Sequence, residues 1–207
     1  MTVSDTSHPG KRLLFVVSAP SGSGKTSLCN EVIRQIPNLG FSISHTTRAP
    51  RHGEEHGKDY CFVSQEEFMQ YVSQDKMAEW TEIYGNYYGT AKETIQGEFE
   101  KGFDLFFDID ERGARQLSEA YPDVVTVLVL PPSLEALKSR LIERGTDDEE
   151  TVHKRLKKAK EEIEKMAWYR YVIVNDRFED AVSKLESIIK AERCKDNHSL
   201  IRELLNG

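Results

Sequence analysis

Short, almost wholly apolar segments recur along the chain and alternate with segments that are apolar on one side only. The apolar segments are rich in β-branched or aromatic residues and lie at Leu13–Ser18, Phe103–Ile109, Val124–Leu130 and Tyr171–Val174, with Phe41–Ser44 a weaker fifth. Strands that are apolar on both faces are typical of a parallel sheet covered by helices on both sides. Helical patterns alternate with them, at Thr26–Ile36, Glu111–Ala120, Ser133–Arg144 and Arg177–Arg193. This alternation predicts right-handed βαβ crossovers and a doubly wound α/β core.

The alternation of apolar strands and helices is interrupted between residues 41 and 90, where the predicted strands are shorter and of mixed polarity. These strands are Tyr60–Val63, Met77–Tyr84 and Tyr87–Thr90. The pair Gly85-Asn86 suits the tight turn of a hairpin between the last two. Ser64 and Glu67 form a capping-box pattern that opens a helix near Gln65–Ser73. The region 41–90 is therefore predicted to be a small, mainly antiparallel lobe inserted into the core.

A second change in pattern lies at the polar link Arg144–Asp148, which joins two predicted helices. The helix after the link, Glu149–Trp168, begins with acidic residues, as the helix dipole favours. We interpret residues 131–168 as a helical lid with its flanking helices. The core then consists of residues 1–40, 91–130 and 169–207.

Composition narrows the class of protein. The 207 residues carry a net charge of −7, which disfavours non-specific binding to nucleic acid. No apolar run approaches the roughly 20 residues needed to cross a bilayer, and the first residues are polar. We therefore expect a cytoplasmic protein without a membrane or nucleic-acid partner. The three cysteines have no metal-ligand spacing and are expected to be reduced thiols.

The strongest local motif follows the first predicted strand and opens the first predicted helix. Its residues, taken as the site for a nucleoside triphosphate, are Ala19, Pro20, Ser21, Gly22, Ser23, Gly24, Lys25, Thr26 and Ser27. They match the phosphate-loop pattern except at the first glycine, where Ala19 stands. Backbone amides of such a loop surround phosphate oxygens, Lys25 would reach the β- and γ-phosphates, and Thr26 would bind Mg²⁺. Ala19 requires that its position have no positive φ.

Several motifs after the phosphate loop resemble guanylate kinases in their order along the chain. They are the run from Phe41 to Arg51, then Gly53-Glu54, Gly57-Lys58-Asp59-Tyr60, Glu79-Trp80, Gly85-Asn86-Tyr87-Tyr88-Gly89-Thr90 and Asp108-Ile109-Asp110. The resemblance extends from about Leu13 to Asp180. It implies a P-loop kinase whose parallel-sheet core is wrapped by helices and carries a GMP-binding lobe and a lid. The small-molecule substrates would be GMP and ATP, with Mg²⁺ as cofactor.

The resemblance also assigns roles to the acceptor residues. Arg48, Arg51, Tyr60 and Tyr88 match positions that hold the phosphate of the acceptor, and arginine forks are suited to a phosphate dianion. Glu79 would accept from the two adjacent donors of guanine, N1–H and the exocyclic amine. Ser44 and Thr90 would lie near guanine O6.

Asp108 and Asp110 follow the apolar strand Phe103–Phe107 at its carboxyl end, which faces the ligand crevice in an open parallel sheet. Asp108 is predicted to lie between the acceptor and the water shell of the metal, so that Thr26 and Asp108 are the metal candidates. Asp110 is open to a second interpretation, as the start of the next helix. Asn175, after the last predicted strand, is a candidate for seating the adenine region.

The remaining cations lie in the predicted lid. Arg140 and Arg144 are four residues apart and share a helix face, and Arg155 lies on the next helix. Arginines at a helix end also complement the helix dipole without any ligand. The resemblance implies that these arginines close over the triphosphate. With Lys25 and Arg48 they form the predicted catalytic set.

Other functions compete with this prediction. A guanylate-kinase-like interaction module would keep the acceptor pocket without catalysis, but such modules are expected to have eroded phosphate loops. A kinase for another nucleoside monophosphate is disfavoured by Ser44, Glu79 and Thr90, and a P-loop switch or ATPase by the paired acceptor arginines. The sequence leaves the oligomeric state open between a monomer and a homo-oligomer.

Overall fold

The computed structural model describes residues 12–143, 149–195, 201 and 205. In chain order its elements are β1 (Leu14–Ser18), α1 (Lys25–Gln35), β2 (Leu39–Phe41), β3 (His45–Thr46), β4 (Cys61–Phe62), α2 (Gln65–Ser73), β5 (Met77–Ile83), β6 (Asn86–Ala91), α3 (Lys92–Glu100), β7 (Asp104–Phe107), α4 (Glu111–Ala120), β8 (Val125–Leu130), α5 (Leu134–Glu143), α6 (Glu149–Lys165), β9 (Tyr171–Val174) and α7 (Phe178–Arg193). None of the described helices is both long and apolar enough to span a membrane.

The core sheet has the strand order β2-β7-β1-β8-β9, and all its strand pairs are parallel. Alternate side chains of β1 enter two different apolar clusters, one on each face of the sheet. Phe15 and Val17 pack with residues of α1 and α7, whereas Leu14 and Val16 pack with residues of α3 and α4. The prediction of an α/β fold with a parallel sheet covered on both sides is confirmed.

A second sheet has the order β4-β3-β6-β5 and is antiparallel except for the β3–β4 pair. Its β5–β6 hairpin turns at Tyr84-Gly85, with φ values of 51° and 77°, and Ile83 pairs with Asn86. The prediction that Gly85-Asn86 forms the turn is wrong by one residue. This register stacks Tyr87 on Phe68, with 5.5 Å between ring centroids. A one-residue shift would send Tyr87 to the opposite face of the sheet.

Two further predictions require correction. The helix α3 was not predicted, because Ile95 is its only buried residue and its first residue follows β6 with no side-chain cap. The weak strand predicted at Phe41–Ser44 lies instead at Leu39–Phe41, where it pairs with β7 at the side of the core sheet. Ser44 is thereby released from the sheet and lines a cavity described below.

A buried ion pair holds α7 to the core sheet. Arg193 Nε donates to Asp104 Oδ2 at 2.8 Å, and the exposed fractions of the two side chains are 12% and 5%. The other Asp104 oxygen accepts from the Leu13 backbone N–H at 2.8 Å. Arg193 also donates to the carbonyls of Pro37 and Asn38, just before β2. One carboxylate therefore connects β7, the start of β1 and the last turn of α7.

Replacing Arg193 by Met should lower the free energy of unfolding by about 3–5 kcal/mol, because the Asp104 carboxylate would stay buried without its cation. Urea denaturation measures this change. The matched control is Lys190→Met on the same helix, because Lys190 is 66% exposed and its i, i+4 pair with Glu186 should contribute about 0.5 kcal/mol or less. Equal losses for the two variants would contradict the structural role of Arg193.

Candidate functional site

The phosphate loop connects the end of β1 to the start of α1. Gly22 and Gly24 have positive φ values of 95° and 85°, whereas Ala19 does not. The prediction that Ala19 requires no left-handed conformation is therefore confirmed. Helix α1 begins at Lys25 and has no acidic residue in its first turn. Its N-terminus thus presents a partial positive charge that no nearby carboxylate of that turn cancels.

Asn175 and helix α5 pack against the phosphate loop and hold it in place. Asn175 is buried, and its side-chain amide donates to the Ser23 carbonyl at 2.8 Å. A Cβ atom at Gly24 would lie 2.7 Å from that amide nitrogen, and one at Gly22 would lie 3.0 Å from Leu141 on α5. Glycines are therefore required in this loop for close packing as well as for their φ angles.

Lys25 and Asp108 meet at the carboxyl end of the core sheet. Because β1 and β7 are parallel neighbours, the loop after β1 and the carboxylate after β7 lie at the same edge. The Lys25 ammonium forms an ion pair with the Asp108 carboxylate. Burial lowers the pKa of Lys25 to about 8, and the carboxylate of Glu162 on α6 acts in the opposite direction. An arriving polyphosphate would supply the negative charge that favours the ammonium form.

Two cavities share this region. The larger, about 810 Å³, is lined by the phosphate loop, by the hairpin residues Glu82 to Tyr84 and by one side of α6. The smaller, about 430 Å³, is lined by residues of the second sheet and of the loops beside it. Thr26 and the run Asp108 to Asp110 line both cavities. A ligand in each would therefore face the other across Thr26 and Asp108.

Glu79 on β5 is the most unusual group of the smaller cavity. It is 2% exposed, and within the described part of the chain its Oε1 atom has no hydrogen-bond partner. Burial raises the pKa of Glu79 to about 7, against hydrogen bonds from Thr90 that lower it. A buried carboxylate oxygen without a partner is costly, and such groups mark ligand sites.

Hydroxyl groups lie beside Glu79. Ser44 Oγ and Thr90 Oγ1 are 3.4 Å apart, and Thr90 is fully buried on β6 opposite Glu79. Ser44 lines the smaller cavity. The structure therefore brings together the carboxylate and the two hydroxyls that the sequence assigned to a base.

The predicted phosphate-binding groups are only partly assembled. Tyr60 and Tyr88 line the smaller cavity and pack edge to face, and the Arg48 guanidinium lies 5.4 Å from the Tyr60 ring centroid. Arg48 donates to Glu54 Oε1 at 2.9 Å. Arg51 is exposed and does not line the cavity, although its backbone N–H donates to Glu54 Oε2 at 2.7 Å. The Arg48 guanidinium, which the sequence assigned to the acceptor phosphate, is therefore bound to Glu54 in this structure.

The two predicted lid arginines that the structure describes, Arg140 and Arg155, do not line the phosphate cavity in this conformation. Arg140 donates to the backbone carbonyl of Asn175 at 2.9 Å. Arg155 is half-buried on α6, and Arg144 lies outside the described residues. Asp110 caps α4 by accepting from the Gly113 N–H at 2.8 Å, so the second interpretation of Asp110 describes its role in the fold.

Sequence reasoning missed several charged residues that line the cavities. Lys58 lines the smaller one, and Lys158, Glu162 and Lys165 on α6 line the larger. The i, i+4, i+7 spacing of the α6 residues places them on one helix face, and that periodicity could have been noticed. Lys58 lies in an irregular loop, where no periodic pattern indicates which way a side chain points.

The oxygen donors at the junction fit a small hard cation. Mg²⁺ is usually held by one or two protein oxygens together with phosphates and water. The Thr26 hydroxyl and the Asp108 carboxylate are of this type, and both line the two cavities. The described residues contain no cluster of three or more His, Cys, Asp or Glu side chains suited to a metal.

Comparison with known proteins places these features in a family. The sequence model described as guanylate kinase matches residues 11–192. The guanylate kinase of Geobacter sulfurreducens is 49% identical over 183 residues, 88% of this chain and 90% of that protein. The guanylate kinase of Carboxydothermus hydrogenoformans is 45% identical over 197 residues, 95% of this chain and 97% of that protein. A crystal structure of guanylate kinase from Anaplasma phagocytophilum has a TM-score of 0.69 and 34% identity, covering 89% of this chain and 88% of the other.

The two relatives match over most of their own length, and the solved structure shares the fold as well as the sequence. The family model spans both sheets, the phosphate loop and the residues around Glu79. This chain belongs to the guanylate kinase family.

Proposed function

We propose that this chain transfers the γ-phosphoryl group of ATP to GMP and releases ADP and GDP. The observation that carries the proposal is the buried Glu79 carboxylate, which lines a cavity that meets the phosphate-loop cavity at Thr26 and Asp108. One cavity is suited to a triphosphate and the other to a base with hydrogen-bond donors. ATP is the phosphoryl donor and GMP the acceptor.

Guanine selection follows from the donor and acceptor pattern of the smaller cavity. N1–H and the exocyclic amine of guanine are adjacent donors, and the ionised Glu79 carboxylate can accept both. The hydroxyls of Ser44 and Thr90 can donate to guanine O6. Adenine presents the reverse pattern at these positions and would leave buried groups unpaired, at about 1–3 kcal/mol each.

The acceptor phosphate would bind where Arg48 now pairs with Glu54. A phosphate dianion is a stronger partner for a guanidinium than a single carboxylate oxygen, because it accepts two parallel hydrogen bonds. Tyr60 and Tyr88 lie at the same place and can donate their hydroxyls. Arg51 would have to turn inward from its exposed position.

In the transfer step the protein aligns the two nucleotides and neutralises the negative charge of their phosphates. The attacking oxygen belongs to a phosphate that is ionised near neutral pH, so it needs no general base. Lys25 would leave Asp108 to bind the β- and γ-phosphates, and Arg155 and Arg144 would approach when the lid closes. Closure over two joined cavities excludes water and so prevents hydrolysis of ATP.

Mg²⁺ would be held by the Thr26 hydroxyl and, through its water shell, by Asp108. When bound, the ion neutralises charge on the β- and γ-phosphates. Lys25 stabilises the same oxygens from the loop side, and Asn175 keeps the loop in place by its bond to Ser23.

A panel of acceptors tests the proposed function. ADP release should be rapid with GMP, slower by at least 100-fold with AMP, CMP and UMP, and abolished without Mg²⁺. A coupled spectrophotometric assay measures all four nucleotides. Comparable rates with AMP or CMP would refute the guanine assignment.

Replacing Lys25 by Ala should lower kcat by about 10²- to 10³-fold or more, because the transferring phosphoryl group would lose a preorganised cation. GMP binding, measured by calorimetry, should persist, since Lys25 does not line the smaller cavity. Lys101→Ala on the exposed surface is the control and should retain full turnover. Unchanged kcat in Lys25→Ala would contradict the role of the loop.

The use of GMP should depend on the ionisation of Glu79. Because its pKa is about 7, the acceptor form is lost as pH falls, and kcat/KM for GMP should drop between pH 8 and pH 6. Glu79→Gln should lower kcat/KM for GMP by about 100-fold or more while the KM for ATP changes little. This variant also serves as the control, since its remaining pH dependence comes from groups other than Glu79, such as Lys25 and the phosphate of GMP.

The contribution of Glu79 to the free energy of unfolding should change with pH in the opposite direction to kcat/KM for GMP. An acid whose pKa rises on folding, here from 4.5 to about 7, favours the folded state at low pH and loses that contribution as pH rises through 7. Glu79→Gln should therefore be more stable than the parent at pH 8 by an amount of the order of 2–3 kcal/mol, and by less at pH 5. Urea unfolding at the two pH values checks the sign. A parent protein that is as stable as the variant at pH 8 would contradict it.

A further inference from the structure

Helix α4 binds the backbone of β5 directly beside Glu79. The Trp80 N–H donates to Gln116 Oε1 at 3.1 Å, and Gln116 Nε2 donates to the Trp80 carbonyl at 2.8 Å. β5 is the last strand in the order β4-β3-β6-β5, so no other described strand pairs with its outer edge. The Gln116 amide replaces a neighbouring strand at one residue, and Trp80 is the residue that follows Glu79.

Gly113 lies three residues before Gln116, on the same face of α4. A Cβ atom there would lie 2.7 Å from Glu79 Oε2 and 3.4 Å from Ile109 Cβ. Gly113 is inside a helix and is not among the glycines with a positive φ. Its backbone therefore does not demand glycine, but the Glu79 carboxylate occupies the space that any larger side chain would need.

We propose that Gly113 and Gln116 are positioning residues that set where the Glu79 carboxylate stands and thereby determine the selectivity for guanine. The inference rests on the proposed function. Neither residue lines the acceptor cavity, so both act through Glu79. Gln116 fixes the strand that carries Glu79, and Gly113 leaves the room into which Oε2 extends.

The geometry of base recognition explains why this position matters. Two parallel hydrogen bonds from guanine to one carboxylate require that both oxygens lie in the plane of the base. A displacement of about 1 Å can cost 100-fold in rate when an aligned contact is lost. Inosine monophosphate provides a probe, because it keeps N1–H and O6 but lacks the exocyclic amine. A carboxylate placed to accept both hydrogen bonds distinguishes the two nucleotides, because inosine monophosphate supplies only one of them.

The first experiment compares Gly113→Ala with Gly97→Ala. Both substitutions place Ala inside a helix, which favours the helix, but a Cβ at Gly97 would meet nothing within 4 Å. Gly113→Ala should lower kcat/KM for GMP by about 10- to 100-fold and reduce the preference for GMP over inosine monophosphate. The KM for ATP should not change, and the Tm should stay the same or rise. Gly97→Ala should leave all kinetic constants unchanged.

The second experiment removes the two hydrogen bonds between the Gln116 amide and the Trp80 backbone. Gln116→Met keeps the length of the side chain but loses both hydrogen bonds to Trp80, and should reduce the same preference by about tenfold. Gln70→Met makes the same exchange on an exposed face of α2 and should have no effect. Glu79→Asp, which shortens the carboxylate, should cost less in the Gly113→Ala protein than in the parent, because it relieves the contact with the new methyl group.

The outcomes separate the inference from the proposed function. A parent protein that does not phosphorylate GMP would overturn the proposed function and the inference with it. If the parent is active and Glu79→Gln is impaired, equal losses with both nucleotides in Gly113→Ala and Gln116→Met would overturn the inference alone. Should Gly113→Ala fail to fold, the preference of Gln116→Met decides: an unchanged preference overturns the inference, and a reduced one supports it.

Discussion

The parallel pairing of β1 with β7 is the constraint on which the rest of the site depends. It places the ends of both strands at one edge of the core sheet, so that Lys25 and Asp108 meet although 83 positions separate them in the chain. An antiparallel pairing would put them at opposite ends of the strands. The apolar residues that β1 and β7 bury on both faces therefore determine the chemistry as well as the fold, because they fix which loops can share a cavity.

The electrostatics of the site follow from burial inside an acidic protein. A chain with a net charge of −7 has no general attraction for nucleotides. Two cations at the cavities instead have acidic partners: Lys25 pairs with Asp108 and Arg48 with Glu54. We propose that binding exchanges one anion for another at these two cations. Glu79 differs, since its Oε1 has no partner in the described chain, and we propose that it selects the base.

The sequence predicted those parts of the structure that depend on local patterns. Buried strands, amphipathic helices and the phosphate loop have periodicity or fixed spacing, and the resemblance to guanylate kinases brought Glu79, Ser44 and Thr90 together. The turn at Tyr84-Gly85 was misplaced because its register depends on the packing of Tyr87 against Phe68, which lies in a different element. Arg140 was expected at the phosphates but binds Asn175, because spacing along a helix says which residues share a face and not what that face contacts. The helix α3 was missed because it buries a single residue.

Helix α4 contacts several parts of the candidate site that lie far apart in the sequence. Asp110 caps it, Gly113 accommodates the Glu79 carboxylate, and Gln116 binds β5. On its opposite side Arg115 lies over the Trp168 ring at 4.9 Å and donates to the Lys165 carbonyl at the end of α6. One short helix thus touches β5, the strand that carries Glu79, and the end of α6, which lines the larger cavity. These contacts join regions that lie far apart in the sequence, so no local pattern of residues could have predicted that α4 holds them together.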